Sequence, residues 1–123
     1  MTKRVLVIED QPDNRQILRD LLGSAGIEVI EATDGAAGVA AAVSDMPDLI
    51  LMDIQMPRMD GYEATRRIKA DARSGAIPII AVTSFALSGD AQKARDAGCD
   101  DYVTKPFSPR ALLAKVHDYL GAE

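Results

Sequence analysis

The sequence predicts one α/β domain, in which helices cover both faces of a five-stranded parallel sheet. Short apolar runs alternate five times with longer segments whose apolar residues have helical spacing. The run Leu49–Met52 is entirely apolar, which is typical of a strand buried on both faces of a parallel sheet. A chain of 123 residues suits a single domain, and we expect residues 1–123 to form it.

The predicted strands are short, apolar and rich in β-branched residues. In chain order they are Val5–Ile8, Ile27–Ala32, Leu49–Met52, Ile77–Val82 and Tyr102–Thr104. Glu28 and Glu31 alternate with apolar residues in the second strand, which predicts an edge position. Pro78 lies near the start of the fourth strand, where the missing N–H is tolerated.

Five helices are predicted between and after these strands. The first has apolar residues at helical spacing and ends near two glycines: Ile17, Leu18, Leu21, Leu22, Gly23 and Gly26. The second follows Asp34 and reaches about Ser44, and the third follows the cap residue Asp60 through about Lys69. The fourth spans Ser88–Ala97. Ser108 and Pro109 start the last helix, which runs to about Leu120.

Composition excludes several classes of function. The net charge of −5 and the pI of about 4.8 argue against direct binding to nucleic acid, because an acidic domain repels phosphate backbones. Cys99 is the only cysteine, so an intramolecular disulfide is impossible and a reducing cytoplasm is the expected compartment. No apolar run approaches the roughly 20 residues that span a membrane.

Polar residues follow the predicted strands at the edge of the sheet where ligands bind in such folds. Glu9 and Asp10 follow the first strand, Asp53 the third, Thr83 the fourth and Lys105 the fifth. Converging carboxylates repel one another, and a hard divalent cation such as Mg²⁺ relieves that repulsion. A carboxylate can also attack phosphorus and form an aspartyl phosphate, and Asp53 is the best candidate because it ends the most apolar strand.

These residues together resemble the CheY-like receiver domains of two-component signalling, over essentially the whole chain. The matching residues are Glu9-Asp10, Met52-Asp53-Ile54-Gln55-Met56-Pro57, Met59-Asp60-Gly61, Thr83, Tyr102 and Lys105-Pro106. The resemblance implies a flavodoxin-like, doubly wound sheet with strand order 2-1-3-4-5. It also implies a signalling switch, not a turnover enzyme, that catalyses its own phosphorylation and dephosphorylation.

The resemblance implies a role for each matching residue. Asp53 is the phosphoacceptor, assisted by Lys105 and Thr83. Mg²⁺ is held by Asp10, by Asp53 and by the backbone carbonyl of Gln55, with Glu9 completing the metal site through water. Thr83 and Tyr102 correspond to the switch pair, and the peptide bond from Lys105 to Pro106 is usually cis in the family.

The resemblance also implies the partners. A sensor histidine kinase or a histidine phosphotransfer protein would donate the phosphoryl group, and a downstream effector would bind the Ser88–Leu120 face of a monomer or weak dimer. Two residues depart from the commonest pattern: Glu9 replaces an aspartate, and Ser84 stands where alanine is common. Several segments resemble single-domain regulators of the DivK type, whereas residues 56–67 also resemble receivers of hybrid kinases.

Other interpretations remain open for single residues and for the whole chain. Asp53 alone could cap a strand end, Glu9 and Asp10 could cap the following helix, and Tyr102 could be half-buried packing. A phosphatase of the haloacid dehalogenase type would need an aspartate where Gln55 stands. A binding module that has lost phosphorylation usually lacks one of the matching residues. A dinucleotide or flavin carrier lacks support because no G-x-G-x-x-G follows the first strand.

Overall fold

The computed structural model describes residues 3–83, 90–105 and 107–121. Within these ranges, five strands alternate with five helices. The strands are β1 (Arg4–Ile8), β2 (Glu28–Ala32), β3 (Leu49–Asp53), β4 (Ile79–Thr83) and β5 (Asp101–Thr104). The helices are α1 (Pro12–Ser24), α2 (Gly35–Asp45), α3 (Gly61–Ala70), α4 (Asp90–Ala97) and α5 (Pro109–Leu120). No helix among the described residues has the length and apolar character needed to cross a membrane.

All strand pairs are parallel, and the sheet order is β2-β1-β3-β4-β5, which confirms the predicted fold. The predicted edge strand β2 lies at one end of the sheet, and β3, which contains the apolar run Leu49–Met52, lies at its centre. The chain leaves β1 toward β2 and returns to β3 on the other side of β1. This reversal opens a crevice at the carboxyl ends of β1 and β3, where ligands bind in open α/β sheets.

Two layers of helices bury the two faces of the sheet. Leu18 and Leu22 of α1 pack with Leu112 and Val116 of α5 against one face. On the other face, α2, α3 and α4 contribute mainly small side chains together with Ile68. Alternation along each strand sends successive side chains to opposite layers, so β3 and β4 are buried on both faces.

Side chains at the helix starts satisfy free backbone N–H groups, as predicted for Asp60 and Ser108. Asp34 accepts from the N–H of Ala37, Asp60 from that of Glu63, and Ser108 from that of Ala111. The Glu63 carboxylate faces two arginines on its own helix instead of returning to the cap residue. The cap of α3 therefore consists of the Asp60 side chain alone, without a reciprocal bond from Glu63.

Ile17 differs from the expectation for α1. It belongs to the apolar set predicted to line the helix, yet its side chain is 54% exposed. Leu18 and Leu22 are buried and define the face that packs on the sheet. Ile17 precedes Leu18 by one position, about 100° around the helix, so it lies at the flank of that face.

Candidate functional site

Three carboxylates meet at the crevice between β1 and β3. Glu9 and Asp10 immediately follow β1, and Asp53 is the last residue of the neighbouring strand β3. One oxygen from each carboxylate lies within 4.8 Å of the others. Glu9 and Asp53 are 1% and 4% exposed, so two of the three charges are almost fully removed from water.

Lys105 supplies the positive charge of this cluster. Its Nζ lies 3.0 Å from Oε1 of Glu9 and 3.5 Å from Oδ1 of Asp53. The backbone N–H of Lys105 donates to the carbonyl of Thr83 at 2.7 Å, which joins the ends of β4 and β5. The structure thus brings together four of the predicted site residues, with the buried Thr83 one strand away.

The charge balance of the cluster disfavours the ionised form of Asp53. Burial, together with the neighbouring negative charge of Glu9, raises the pKa of Asp53 from 3.8 to about 7. Lys105 and the N–H of Gln55 act in the opposite direction without cancelling the rise. Two buried carboxylates with one partly exposed ammonium therefore leave a site that favours an additional cation.

The two acidic residues after β1 differ in how their oxygens are used. Both oxygens of Glu9 are engaged, one by Lys105 and the other by the N–H of Gln11 at 3.1 Å. In Asp10, Oδ1 is buried and has no hydrogen-bond partner among the described residues. A buried carboxylate oxygen without a partner is costly, and it is a ready ligand for a hard cation. The donor set therefore fits Mg²⁺, with Asp10 better placed than Glu9 to bind it directly.

Local backbone contacts hold the Asp53 carboxylate in place. The N–H of Gln55 donates to its Oδ1 at 3.2 Å, and the N–H of Gly61 donates to the carbonyl of Ile54 at 2.9 Å. A Cβ on Gly61 would lie 2.5 Å from the carbonyl oxygen of Asp53. Glycine is therefore needed at this position because α3 starts directly against the end of β3.

Thr83 and Tyr102 lie on adjacent strands and on the same face of the sheet. In the register of β4 and β5, Ala81 pairs with Tyr102 and Thr83 pairs with Thr104. Because side chains two residues apart point to the same side, Thr83 and Tyr102 share the face covered by α2, α3 and α4. The Tyr102 side chain is half-buried against that layer.

Several predicted features lie outside the described residues. They are the departure at Ser84, the start of the predicted fourth helix and of the effector face at Ser88, and the peptide bond to Pro106.

One residue at the site was not predicted from the sequence. Arg15 donates from Nη1 to the carbonyls of Glu9 and Asp10 at 2.9 and 3.2 Å. In the amino-acid sequence, nothing about an arginine near the start of a helix indicates that its side chain turns back to the preceding loop.

Comparison with known proteins agrees with the geometry. The family model described as the response regulator receiver domain matches residues 5–117. The polar-differentiation response regulators DivK of Brucella ovis and Brucella anthropi are 41% and 40% identical to the chain over 121 residues, covering 98% of both proteins in each case.

Two solved structures are similar over nearly their whole length. The receiver domain of a sensor histidine kinase from Pseudomonas aeruginosa, with a magnesium ion coordinated in its active-site cleft, is 37% identical with a TM-score of 0.91, covering 99% of this chain and 100% of that one. The chemotaxis protein CheY4 of Vibrio cholerae is 29% identical with a TM-score of 0.91, covering 98% and 100%.

Proposed function

Because this chain belongs to the response regulator receiver domain family of two-component signalling, we propose that it accepts a phosphoryl group on Asp53 in a Mg²⁺-dependent reaction. The observation that carries this proposal is the buried Asp53 carboxylate, which shares a crevice with Glu9, Asp10 and Lys105. A phosphatase that turns over is less well supported, because Gln55 stands where such an enzyme would place a second acid.

The proposed transfer is a single displacement at phosphorus. An oxygen of the Asp53 carboxylate attacks the phosphorus of a partner's phosphohistidine, an O–P bond forms, and the P–N bond breaks. The freed imidazole takes up a proton, and Asp53 becomes an acyl phosphate. Water then attacks the phosphorus of that acyl phosphate, the O–P bond to Asp53 breaks and inorganic phosphate leaves, which returns Asp53 to a carboxylate and ends the signal.

The surrounding residues have complementary roles in this proposal. Asp10 and Asp53 hold Mg²⁺ together with the backbone carbonyl of Gln55, while Glu9 completes the metal site and holds Lys105. Bound Mg²⁺ supplies positive charge that offsets the phosphoryl oxygens. Lys105 exchanges its contact with Asp53 for one with a phosphoryl oxygen, and the Thr83 hydroxyl donates a hydrogen bond to another.

We further propose that Thr83 and Tyr102 couple phosphorylation to the output surface. Inward movement of Thr83 toward the phosphoryl group vacates space on its face of the sheet. Tyr102 rotates inward to fill that space, since both side chains lie on that face. The surface formed by α4, β5 and α5 then changes shape, and an effector that prefers the new shape binds more tightly.

The partners and setting of this switch follow from the same proposal. A sensor histidine kinase or a histidine phosphotransfer protein donates the phosphoryl group in the cytoplasm. The similarity to the DivK response regulators supports an output through a protein contact on the Ser88–Leu120 face or through onward transfer in a phosphorelay.

The test is intact-mass analysis after incubation with MgCl₂ and acetyl phosphate. We expect the wild-type mass to rise by one phosphoryl group, and we expect no rise for Asp53→Asn or in the presence of EDTA. Asp48→Asn is a matched control, because Asp48 is an exposed aspartate just before the same strand. Unchanged labelling of Asp53→Asn would refute the assignment of the phosphoacceptor.

A further inference from the structure

Arg15 links the acidic loop after β1 to the edge strand β2. Its Nη1 donates to the main-chain carbonyls of Glu9 at 2.9 Å and Asp10 at 3.2 Å, while its Nε lies 3.5 Å from Oε1 of Glu31 on β2. The Arg15 side chain is only 18% exposed, so water competes weakly for these contacts. We propose that Arg15 is a positioning residue that orients Asp10 toward the metal site, an inference that rests on the proposed Mg²⁺-dependent function.

Few other contacts set the direction of the Asp10 side chain. Its Oδ2 accepts from the exposed amide of Gln11 at 3.4 Å, and its Oδ1 has no partner among the described residues. Hydrogen bonds to the carboxylate therefore do little to orient it. The direction of the side chain follows from the main chain of Asp10, and the carbonyl of that residue is held by Arg15.

A guanidinium suits this task better than an ammonium. Its planar fork presents several N–H donors in fixed directions, so one side chain can hold two carbonyls and a carboxylate at once. The Glu31 carboxylate also neutralises the charge of Arg15, which limits the repulsion of a divalent cation by the guanidinium. Glu31 is itself shared with Arg19, whose Nη1 lies 2.9 Å from Oε2.

Arg19 provides a matched control. It bears the same charge and contacts the same carboxylate, yet it contacts neither Glu9 nor Asp10 and is 49% exposed. Loss of a positive charge near a cation site should, by Coulomb attraction alone, tighten Mg²⁺ binding. Loss of a positioning contact should weaken it. The two effects have opposite signs, so the direction of the change separates them.

The experiment is a titration of ¹⁵N-labelled protein with MgCl₂, followed by NMR, on the wild type, Arg15→Gln and Arg19→Gln. Partners that orient metal ligands typically contribute 10–100-fold in affinity, and we expect Arg15→Gln to bind Mg²⁺ about 10-fold more weakly than wild type. We expect Arg19→Gln to bind as tightly as wild type or slightly more tightly. Equal or tighter binding by Arg15→Gln would overturn the proposal.

A second variant keeps the proposal testable if Arg15→Gln fails to fold. Arg15→Lys retains the charge but replaces the fork with one ammonium, and we expect Mg²⁺ binding several-fold weaker than in the wild type, with wild-type shifts for amides remote from the site. Wild-type affinity in Arg15→Lys would overturn the proposal in that case. Failure of the wild type itself to bind Mg²⁺ would instead refute the proposed function on which the inference rests.

Discussion

Replacement of Asp53 by asparagine should stabilise the metal-free protein at alkaline pH. In the wild type, burial and the adjacent Glu9 raise the pKa of Asp53 to about 7, so the folded state holds this group as a charged carboxylate at pH 8 at a cost. Asparagine has nearly the same shape and no charge. The variant therefore keeps the packing of the site and removes the repulsion.

The magnitude follows from the difference between the folded and unfolded pKa of Asp53. The pKa rises from 3.8 to about 7, and each pKa unit corresponds to about 1.4 kcal/mol, so ionisation in the folded state costs on the order of 4 kcal/mol at pH 8. Because the folded state binds the proton more tightly than the unfolded state, protonation of Asp53 favours folding. This contribution to the free energy of unfolding is fully present below pH 3.8 and is lost as the pH rises to 7.

The assay is urea unfolding in EDTA at pH 8 and at pH 5, with the free energy of unfolding compared between wild type and Asp53→Asn. We expect the variant to be more stable by about 4 kcal/mol at pH 8 and by about 1–2 kcal/mol at pH 5. The control is Asp20→Asn, which changes an exposed aspartate on α1 and should alter stability by less than about 0.5 kcal/mol. The reasoning would be refuted if Asp53→Asn were no more stable than the wild type at pH 8, or if its gain in stability were larger at pH 5 than at pH 8.

Three further predictions concern the metal, the switch and the packing of α2. Asp10→Asn should weaken Mg²⁺ binding in a titration more than Glu9→Gln, because both Glu9 oxygens already have protein partners whereas one Asp10 oxygen has none; the reverse order would contradict this. Tyr102→Ala should be phosphorylated by acetyl phosphate like the wild type, yet show smaller phosphorylation-induced NMR shifts in β5 and α5; undiminished shifts would exclude Tyr102 from the switch. Gly38→Ala should lower the urea-derived stability by about 1–3 kcal/mol, because a Cβ there would lie 2.4 Å from an isoleucine side chain of β1. Gly23→Ala, where a Cβ meets nothing within 4 Å, should raise the stability by about 0.5–1 kcal/mol. Equal effects of the two substitutions on stability would show that α2 does not approach β1 closely at Gly38.

Local patterns were sufficient to predict the strands, the helices and their parallel sheet, whereas the strand order was implied by the resemblance to receiver domains. Apolar runs of strand length, amphipathic segments and cap residues such as Asp60 and Ser108 depend on neighbouring residues in the chain, and the structure has all five strands and five helices near the predicted positions. The carboxyl ends of parallel strands share one edge of the sheet, so Glu9, Asp10 and Asp53 were expected to meet if their strands were neighbours, as the implied strand order made them.

Properties that depend on distances between remote segments could not be predicted in this way. Lys105 contacts Glu9 across 96 positions of the chain, and the unequal use of oxygens in Glu9 and Asp10 depends on where that ammonium lies. The raised pKa of Asp53 depends on burial that only the packed sheet creates. The contact of Arg15 with the acidic loop likewise depends on the angle at which α1 leaves β1. Helical periodicity gives the faces of a helix but not its rotation on the sheet or the reach of its side chains, and these follow from how all the layers pack together.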